Sequence, residues 1–206
     1  MWVKLCGMTK LEDALYAQEL GASAIGFIFA KSPRAIAPEK AAAIARALEI
    51  PTVGVFVNSP IAEIQEIRSY CHLDMVQLHG NEDPDFCREL GGTIIKAFRV
   101  KSGDIHQQMR AFSGVWKFLV DAYDPHQHGG TGKRIEHRHL ATIDDFSDII
   151  LAGGLNPKNI ADAITSYQPF GVDISSGIEE SPGVKDHGKM EQLMREIRSI
   201  ENGLSG

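Results

Sequence analysis

The sequence predicts an α/β fold in which parallel strands alternate with helices and close into a barrel. Three observations predict it: eight apolar runs of strand length, helical segments between them, and a chain of 206 residues without a linker or a low-complexity tract. Parallel strands that helices cover on the outside are expected to be apolar and rich in β-branched residues. Eight such units in this length favour a (β/α)8 TIM barrel, formed as a single domain over residues 1–206.

The barrel strands are expected in apolar runs that recur along the whole chain. These runs are WVKLC (2–6), SAIGFIF (23–29), TVGVFV (52–57), DMVQLH (74–79), TIIKAF (93–98), WKFLVD (116–121), DIILAGG (148–154) and FGVDIS (170–175). An open, doubly wound sheet is the alternative architecture. That fold usually carries a glycine-rich fingerprint after its first strand, whereas CGMTK at this position has one glycine.

Segments with apolar residues at helical spacing separate the strands. They are LEDALYAQEL (11–20), PEKAAAIARALE (38–49), PIAEIQEIRSY (60–70), NPKNIADAITSY (156–167) and HGKMEQLMREIRSI (187–200). Between Asp121 and Asp148, glycine, histidine and proline crowd the sequence and predict a long loop. We expect a short helix after it, near residues 138–142.

Charge and cysteine content exclude several classes of protein. The net charge is −6 and lysine and arginine do not cluster, so neither a nucleic-acid partner nor an anionic membrane surface is indicated. Three cysteines without paired spacing argue against a disulfide framework and favour the cytoplasm. The N-terminus does not resemble a secretion signal, and no apolar run approaches the ~20 residues of a membrane span.

Reactive side chains follow several of the predicted strands. Active sites of such barrels lie at the C-terminal ends of the strands, so residues that end different strands meet at one mouth. Cys6 ends the first run, His79 the fourth and Asp121 the sixth, while Asp173 lies near the end of the eighth. Arg34 lies in the loop after the second.

Cys6 and Asp121 are the candidates for acid–base chemistry. Cys6 precedes Gly7 and a helix start, where a helix dipole would favour the thiolate; a small buried hydrophobe is the alternative. Asp121 follows KFLV, and burial there would disfavour its charged form, as suits a general acid. Its alternative role is to cap a helix or brace a loop. Cys71 and Cys87 lie in or beside helices and are expected only to pack.

Glycine and serine after the seventh and eighth strands predict a phosphate site. AGGLNPKNI contains two glycines before a helix start, and DISSGIEESPG contains small polar residues. Backbone N–H groups in such loops bind phosphate dianions, although each segment alone also fits a tight turn. The predicted site comprises Gly153, Gly154, Ser175, Ser176 and Gly177.

Two other features have a functional and a simpler explanation. Arg34, in KSPRAI, is either a fork for a carboxylate or an ordinary solvated arginine. His126, His128, His137 and His139 form two His-X-His pairs around a glycine-rich loop. No nearby cysteine completes a zinc-type set, so we expect a polar loop and no metal site.

Six motifs in order resemble the phosphoribosylanthranilate isomerase family from end to end. They are VKLCGMT, GFIFAKSPR, VQLHGNE, FLVDAY followed by GGTGK, LAGGLNPKNI, and GVDISSGIEESPGVKD. The resemblance implies an Amadori rearrangement of N-(5-phosphoribosyl)anthranilate in tryptophan biosynthesis, with neither a metal nor an organic cofactor. The one departure is RIEHRHL after GGTGK, where the family commonly has aromatic and acidic residues.

The resemblance also implies roles for the strand-end residues. Cys6 resembles the general base and Asp121 the general acid. Arg34 resembles the group that holds the anthranilate carboxylate, and Asp173 is expected to meet the anthranilate amine. His79 is a further expected substrate contact, with a packing role left open. The five glycines and serines named above resemble the phosphate cradle.

Three rival hypotheses remain at this stage. A related histidine-pathway isomerase would be expected to have a two-aspartate site, and Cys6 at the end of the first strand does not fit such a site. A metal-dependent pentose-phosphate epimerase would need His or Asp ligands at several strand ends. A non-catalytic barrel serving as a binding module would not need Cys6, Arg34, Asp121 and a complete phosphate cradle. We expect a small-molecule substrate with a phosphate and a carboxylate, and a monomer or a homodimer.

Overall fold

The structure is a computed structural model that describes residues 1–99, 105–121, 140 and 143–204. Its first eight strands are β1 Trp2–Cys6, β2 Ala24–Ile28, β3 Thr52–Phe56, β4 Met75–Leu78, β5 Ile94–Arg99, β6 Lys117–Asp121, β7 Ile149–Ala152 and β8 Gly171–Ile174. They pair in sequence order, all in parallel, and β8 returns to β1. The closed barrel predicted from the sequence is therefore confirmed, and the open-sheet alternative is wrong.

Strand residues alternate between the barrel interior and the helix layer. One apolar cluster joins alternate strand residues, such as Leu5 and Ile25, to residues of the surrounding helices. A second, smaller cluster contains the opposite residues of the strands, such as Ala24 and Ile95, and no helix residue. Because successive side chains of a strand point to opposite faces, the second cluster fills the barrel interior. Several cavity-lining residues near the C-terminal strand ends, such as Gln77 and Asp121, are polar instead.

Helices cover the outside of the barrel. They span Leu11–Glu19, Pro38–Ala45, Ile61–Cys71, Pro84–Leu90, Ile105–Met109, Ile160–Tyr167 and His187–Leu204. Five of them lie where helical spacing predicted them, and Cys71 and Cys87 are buried in the helix layer as expected. In the described part of the chain, none of the helices is long and apolar enough to cross a membrane.

Two short helices and a hairpin were not individually predicted. At Pro84–Leu90, Pro84 occupies the first turn and Asp83 caps the helix by accepting a hydrogen bond from the backbone N–H of Phe86 at 2.8 Å. After β8 come a 3₁₀ turn at Ser176–Ile178 and the antiparallel strands β9 Glu179–Ser181 and β10 Val184–Lys185. Of the predicted helix at 138–142 only Leu140, which is buried, is described, and the His-X-His pairs lie outside the described residues.

Candidate active site

A cavity of about 200 Å³ opens at the C-terminal ends of the barrel strands. It brings together most of the residues that the sequence singled out, although they are distant along the chain. Those that line it are Cys6, His79, Asp121, Gly153, Gly154, Asp173, Ser175 and Ser176. Arg34 and Gly177 are not among its lining residues, and Gln77, which the sequence analysis did not single out, is.

Cys6 ends β1 with its side chain directed into the cavity. Gly26 on the adjacent strand makes room for it, because a Cβ at Gly26 would lie 2.6 Å from Sγ of Cys6. Burial raises the pKa of the Cys6 thiol, and the ammonium of Lys4 opposes this rise only in part. The expectation of a thiolate favoured by a helix dipole is thus wrong for the unliganded protein. The first helix begins only at Leu11, and desolvation outweighs the nearby positive charges.

Lys4 lies two residues before Cys6 on the same inward face of β1 and is fully buried. Its Nζ is 3.0 Å from Oδ1 of Asp173 and donates a hydrogen bond to Oε1 of Gln77 at 2.7 Å. Burial lowers the pKa of Lys4, but the attraction of Asp173 and Cys6 outweighs it, so the pKa is raised and the ammonium is retained. The sequence analysis missed Lys4, although a lysine at an inward strand position is itself unusual.

Asp121 faces His79 across the cavity. Oδ2 of Asp121 lies 3.6 Å from Nε2 of His79, whose Nδ1 is 3.0 Å from Nε2 of Gln77. The Asp121 side chain is 22% exposed, so it is less buried than the preceding apolar run suggested. The open cavity explains the difference, since Asp121 is the last residue of its strand. It is the only residue of β6 that lines the cavity.

Two buried oxygens of the eighth strand and loop point to a ligand. Of the described side chains, only Asp173 and Ser175 have a buried oxygen without a hydrogen-bond partner, namely Oδ1 and Oγ. Asp173 Oδ1 is close enough to Lys4 for an ion pair, yet it still lacks a properly directed hydrogen bond. Oγ of Ser175 has no such ion pair, and an unpaired buried oxygen is costly unless it serves a function. Both residues line the cavity, so a bound molecule can satisfy them.

The loops after β7 and β8 lie against each other. Gly153 and Gly154 have φ angles of 97° and 69°, which disfavour residues with a side chain. The carbonyl of Gly154 accepts hydrogen bonds from the side-chain amides of Asn156 at 3.0 Å and Asn159 at 3.1 Å, which brace the turn. Gly177 packs so tightly on the backbone of Leu155 that a Cβ there would overlap its carbonyl oxygen. The two predicted phosphate segments are therefore adjacent.

Arg34 is partly exposed and ion-paired, and it does not line the cavity wall. Its Nε and Nη2 atoms donate to the carboxylate of Glu179 at 2.8–3.0 Å, in a fork that the sequence analysis expected for a ligand carboxylate. The same carboxylate accepts a hydrogen bond from Lys185 at 2.9 Å. Lys185 also donates to the backbone carbonyls of Cys6 and Ser175, at 2.6 and 3.2 Å. This buried cluster ties the first, second and eighth loops together.

Fold and site together define a (β/α)8-barrel enzyme that directs a thiol and a carboxyl group into one small polar cavity. A family model for N-(5'phosphoribosyl)anthranilate (PRA) isomerase matches residues 3–196. The N-(5'-phosphoribosyl)anthranilate isomerase of Citrifermentans bemidjiense is 45% identical over 201 residues, 96% of this chain and 97% of its own. The chain therefore belongs to the N-(5'-phosphoribosyl)anthranilate isomerase family, and it is an isomerase.

Solved structures of the family have the same fold. A monomeric form of the dimeric phosphoribosylanthranilate isomerase from Thermotoga maritima superposes with a TM-score of 0.82 at 35% identity, over 96% of this chain and 98% of its own. A phosphoribosyl anthranilate isomerase in complex with reduced 1-(o-carboxyphenylamino)-1-deoxyribulose 5-phosphate has a TM-score of 0.81 at 35% identity, over 97% and 99%. The resemblance first noted in the motifs is thereby confirmed.

Proposed function

We propose that this isomerase of tryptophan biosynthesis converts N-(5-phosphoribosyl)anthranilate to 1-(2-carboxyphenylamino)-1-deoxyribulose 5-phosphate by an Amadori rearrangement. The observation that carries the proposal is that Cys6 and Asp121 line the same cavity in a chain of this family. A relative of the same fold is known in complex with the reduced form of that product, which supports this substrate class.

The chemistry needs one acid and one base. Asp121 gives its proton to the furanose ring oxygen while the bond from C1 to that oxygen breaks, which opens the ring to an iminium ion. Cys6 thiolate then removes the proton from C2, and the electrons of that bond neutralise the iminium to give an enolamine. The enolamine tautomerises to the ketone. The atoms of substrate and product are the same, so this route needs neither a metal nor an organic cofactor.

The high pKa of Cys6 has two opposite effects on its role as a base. It makes the thiolate a minor species in the unliganded enzyme, but it also makes that thiolate a stronger base toward a carbon acid. The adjacent Lys4 limits the first effect, because its positive charge favours the thiolate over what burial alone would allow.

The phosphate group is assigned to the adjacent loops after β7 and β8. The chain is net acidic, so local dipoles must hold a dianion that bulk charge would repel. Backbone N–H groups of Gly153, Gly154, Ser176 and Gly177 are the proposed donors. The unpartnered Oγ of Ser175 supplies a fifth polar group at the same place.

The anthranilate group is assigned to Asp173, Arg34 and His79. Asp173 would accept a hydrogen bond from its amine, using the oxygen that lacks one. Arg34 would hold its carboxylate. Within the described part of the chain, Glu179 engages Nε and one N–H of Nη2, so Nη1 and the second N–H of Nη2 are the donors left for the substrate. His79 is a further candidate contact because it lines the cavity.

The decisive experiment follows the decay of anthranilate fluorescence with freshly prepared substrate. The proposal predicts turnover by the purified protein, and the absence of turnover at stoichiometric enzyme would refute it in favour of a non-catalytic binding module. Turnover only of the corresponding histidine-pathway aminoaldose would instead indicate the two-aspartate type of isomerase. We also expect a cytoplasmic monomer or homodimer, which light scattering and fractionation of cells can test.

A further inference from the structure

A row of polar side chains runs beneath and along the cavity wall, from Lys4, which neighbours the proposed base Cys6, to the proposed acid Asp121. It runs from Lys4 through Gln77 and His79 to Asp121, with contacts of 2.7, 3.0 and 3.6 Å. Lys4 and Gln77 are buried, with 0% and 1% of their surface exposed. The amide of Gln77 is thus held from both sides, by Lys4 and by His79.

The chemistry of these groups fixes the direction of each hydrogen bond. An ammonium has only donors, so the Gln77 atom that faces Lys4 must be the oxygen. The amide nitrogen of Gln77 therefore faces Nδ1 of His79 and donates to it. Nδ1 then carries the lone pair, and the neutral ring carries its proton on Nε2. That nitrogen is the one directed at Oδ2 of Asp121.

We propose that Gln77 is a positioning residue that sets the tautomer of His79, so that its Nε2–H faces the catalytic carboxylate. The proposal rests on the acid role proposed above for Asp121. When Asp121 gives up its proton, negative charge develops on its oxygens, and a fixed donor stabilises that charge. The 3.6 Å separation is long for a hydrogen bond, and contacts of this kind commonly shorten as the charge develops.

Gln77→Glu is the sharpest variant because it has nearly the same shape and keeps an acceptor for Lys4. It replaces the amide donor with a carboxylate oxygen, so Nδ1 of His79 must carry a proton, and in the neutral ring Nε2 then presents a lone pair to Asp121. We expect kcat to fall on the order of 100-fold, the cost of losing one donor aimed at a developing charge, with little change in KM. Gln77→Met, which has no donor and only a weak acceptor, should cause a smaller loss.

The test combines kinetics with a spectrum that needs no substrate. Long-range ¹H–¹⁵N NMR of the unliganded enzyme, recorded at a pH where the ring is neutral, should show His79 as the Nε2–H tautomer in the wild type and as the Nδ1–H tautomer in Gln77→Glu. In a His79→Asn background, the Gln77→Glu substitution should have little further effect on kcat, because the two residues act through one another. Thermal unfolding checks that the Gln77→Glu and Gln77→Met variants are folded.

The proposal would be overturned if His79 had the same tautomer in the wild type and in Gln77→Glu. It would also be overturned if kcat of folded Gln77→Glu were within a few-fold of wild type. A general structural effect would instead lower kcat equally with and without His79, and would also count against it. Absence of turnover by the wild type would refute the proposed function, while the spectrum would still report whether Gln77 sets the tautomer.

Discussion

Gly177 lies directly against the carbonyl group of Leu155, and this contact joins the loop after the eighth strand to the loop after the seventh. The fit has no room for a methyl group, because even a Cβ would overlap the backbone oxygen. Overlap with backbone cannot be relieved by rotating a side chain, so the loops themselves must separate. The geometry of the proposed phosphate site therefore depends on this glycine.

We predict that Gly177→Val weakens the phosphate site. Inorganic phosphate should compete with substrate in the wild type and compete less well in the variant, and KM should rise. Gly203→Val is the matched control, since a Cβ at Gly203 meets no atom within 4 Å. Inhibition constants for phosphate give the answer. Equal inhibition of Gly177→Val and wild type would mean that these loops do not bind the phosphate group.

Arg34→Met should weaken binding of ligands that carry the anthranilate carboxylate. A charge-assisted hydrogen bond is worth about 1.5–3 kcal/mol, which corresponds to about a 10- to 150-fold loss of affinity. An analogue without the carboxylate should bind the wild type and the variant alike. Calorimetric titration with both ligands measures this, and Arg46→Met, at an exposed site, controls for removing one positive charge. If both analogues lost affinity equally, Arg34 would act only by bracing Glu179.

The buried pair of Glu82 and Lys96 should make stability fall in acid. Burial would raise the pKa of Glu82, but hydrogen bonds from Lys96 and from the backbone N–H of Asn58 outweigh it, so the pKa lies below the ordinary 4.5. A lowered pKa in the folded state contributes stability above about pH 4.5, and that contribution is lost as the pH falls through the folded value. Glu82→Gln should therefore be less stable near neutral pH, with a difference that shrinks below pH 4.5.

Urea unfolding across this pH range tests the prediction for Glu82. Removing one partner of a buried ion pair typically costs about 3–5 kcal/mol, and the Lys96→Met variant should show a loss of that size near pH 7. The exposed Glu180→Gln variant should be close to wild type throughout. A Glu82→Gln difference that stayed constant with pH would show that the carboxylate does not provide this stability.

Cys6 should react as a thiol of high pKa in the unliganded enzyme. Burial raises its pKa above the ordinary 9.0, so alkylation by iodoacetamide should keep accelerating above pH 9. Lys4 lowers this pKa, and Lys4→Met should shift the profile further toward alkaline pH. Peptide mass spectrometry separates the signal of Cys6 from those of Cys71 and Cys87. A reaction rate that levels off below pH 8 would contradict this account.

The barrel could be predicted well because the sequence patterns of its strands and helices are local and are repeated along the chain. Each strand is a short apolar run, and five helices are long enough to show their spacing. The helices at Pro84–Leu90 and Ile105–Met109 have only 7 and 5 residues, too few for a helical period to stand out. The hairpin of β9 and β10 lies in a segment that was interpreted only as a phosphate loop.

The candidate site was predictable only in part, for a physical reason. Strand-end residues such as Cys6 and Asp121 could be located, because a barrel brings all strand ends to one mouth. The pairing of Arg34 with Glu179 joins residues 145 positions apart, and no spacing rule indicates it. Gln77 could have been noticed as a polar residue within an apolar strand, but its role depends on Lys4 and His79 lying on the same inward face.

The central claim is that Cys6 is the base and Asp121 the acid, and single-turnover rates test it most directly. The rate constant for conversion of N-(5-phosphoribosyl)anthranilate would be measured with excess wild-type enzyme and with excess Cys6→Ser and Asp121→Asn variants. Each variant should lose about 100- to 10,000-fold in rate with a modest change in substrate affinity, because serine is too weak an acid to supply a base and asparagine has no acidic proton. A rate within a few-fold of wild type for either folded variant, or a change confined to affinity, would contradict the claim for that residue.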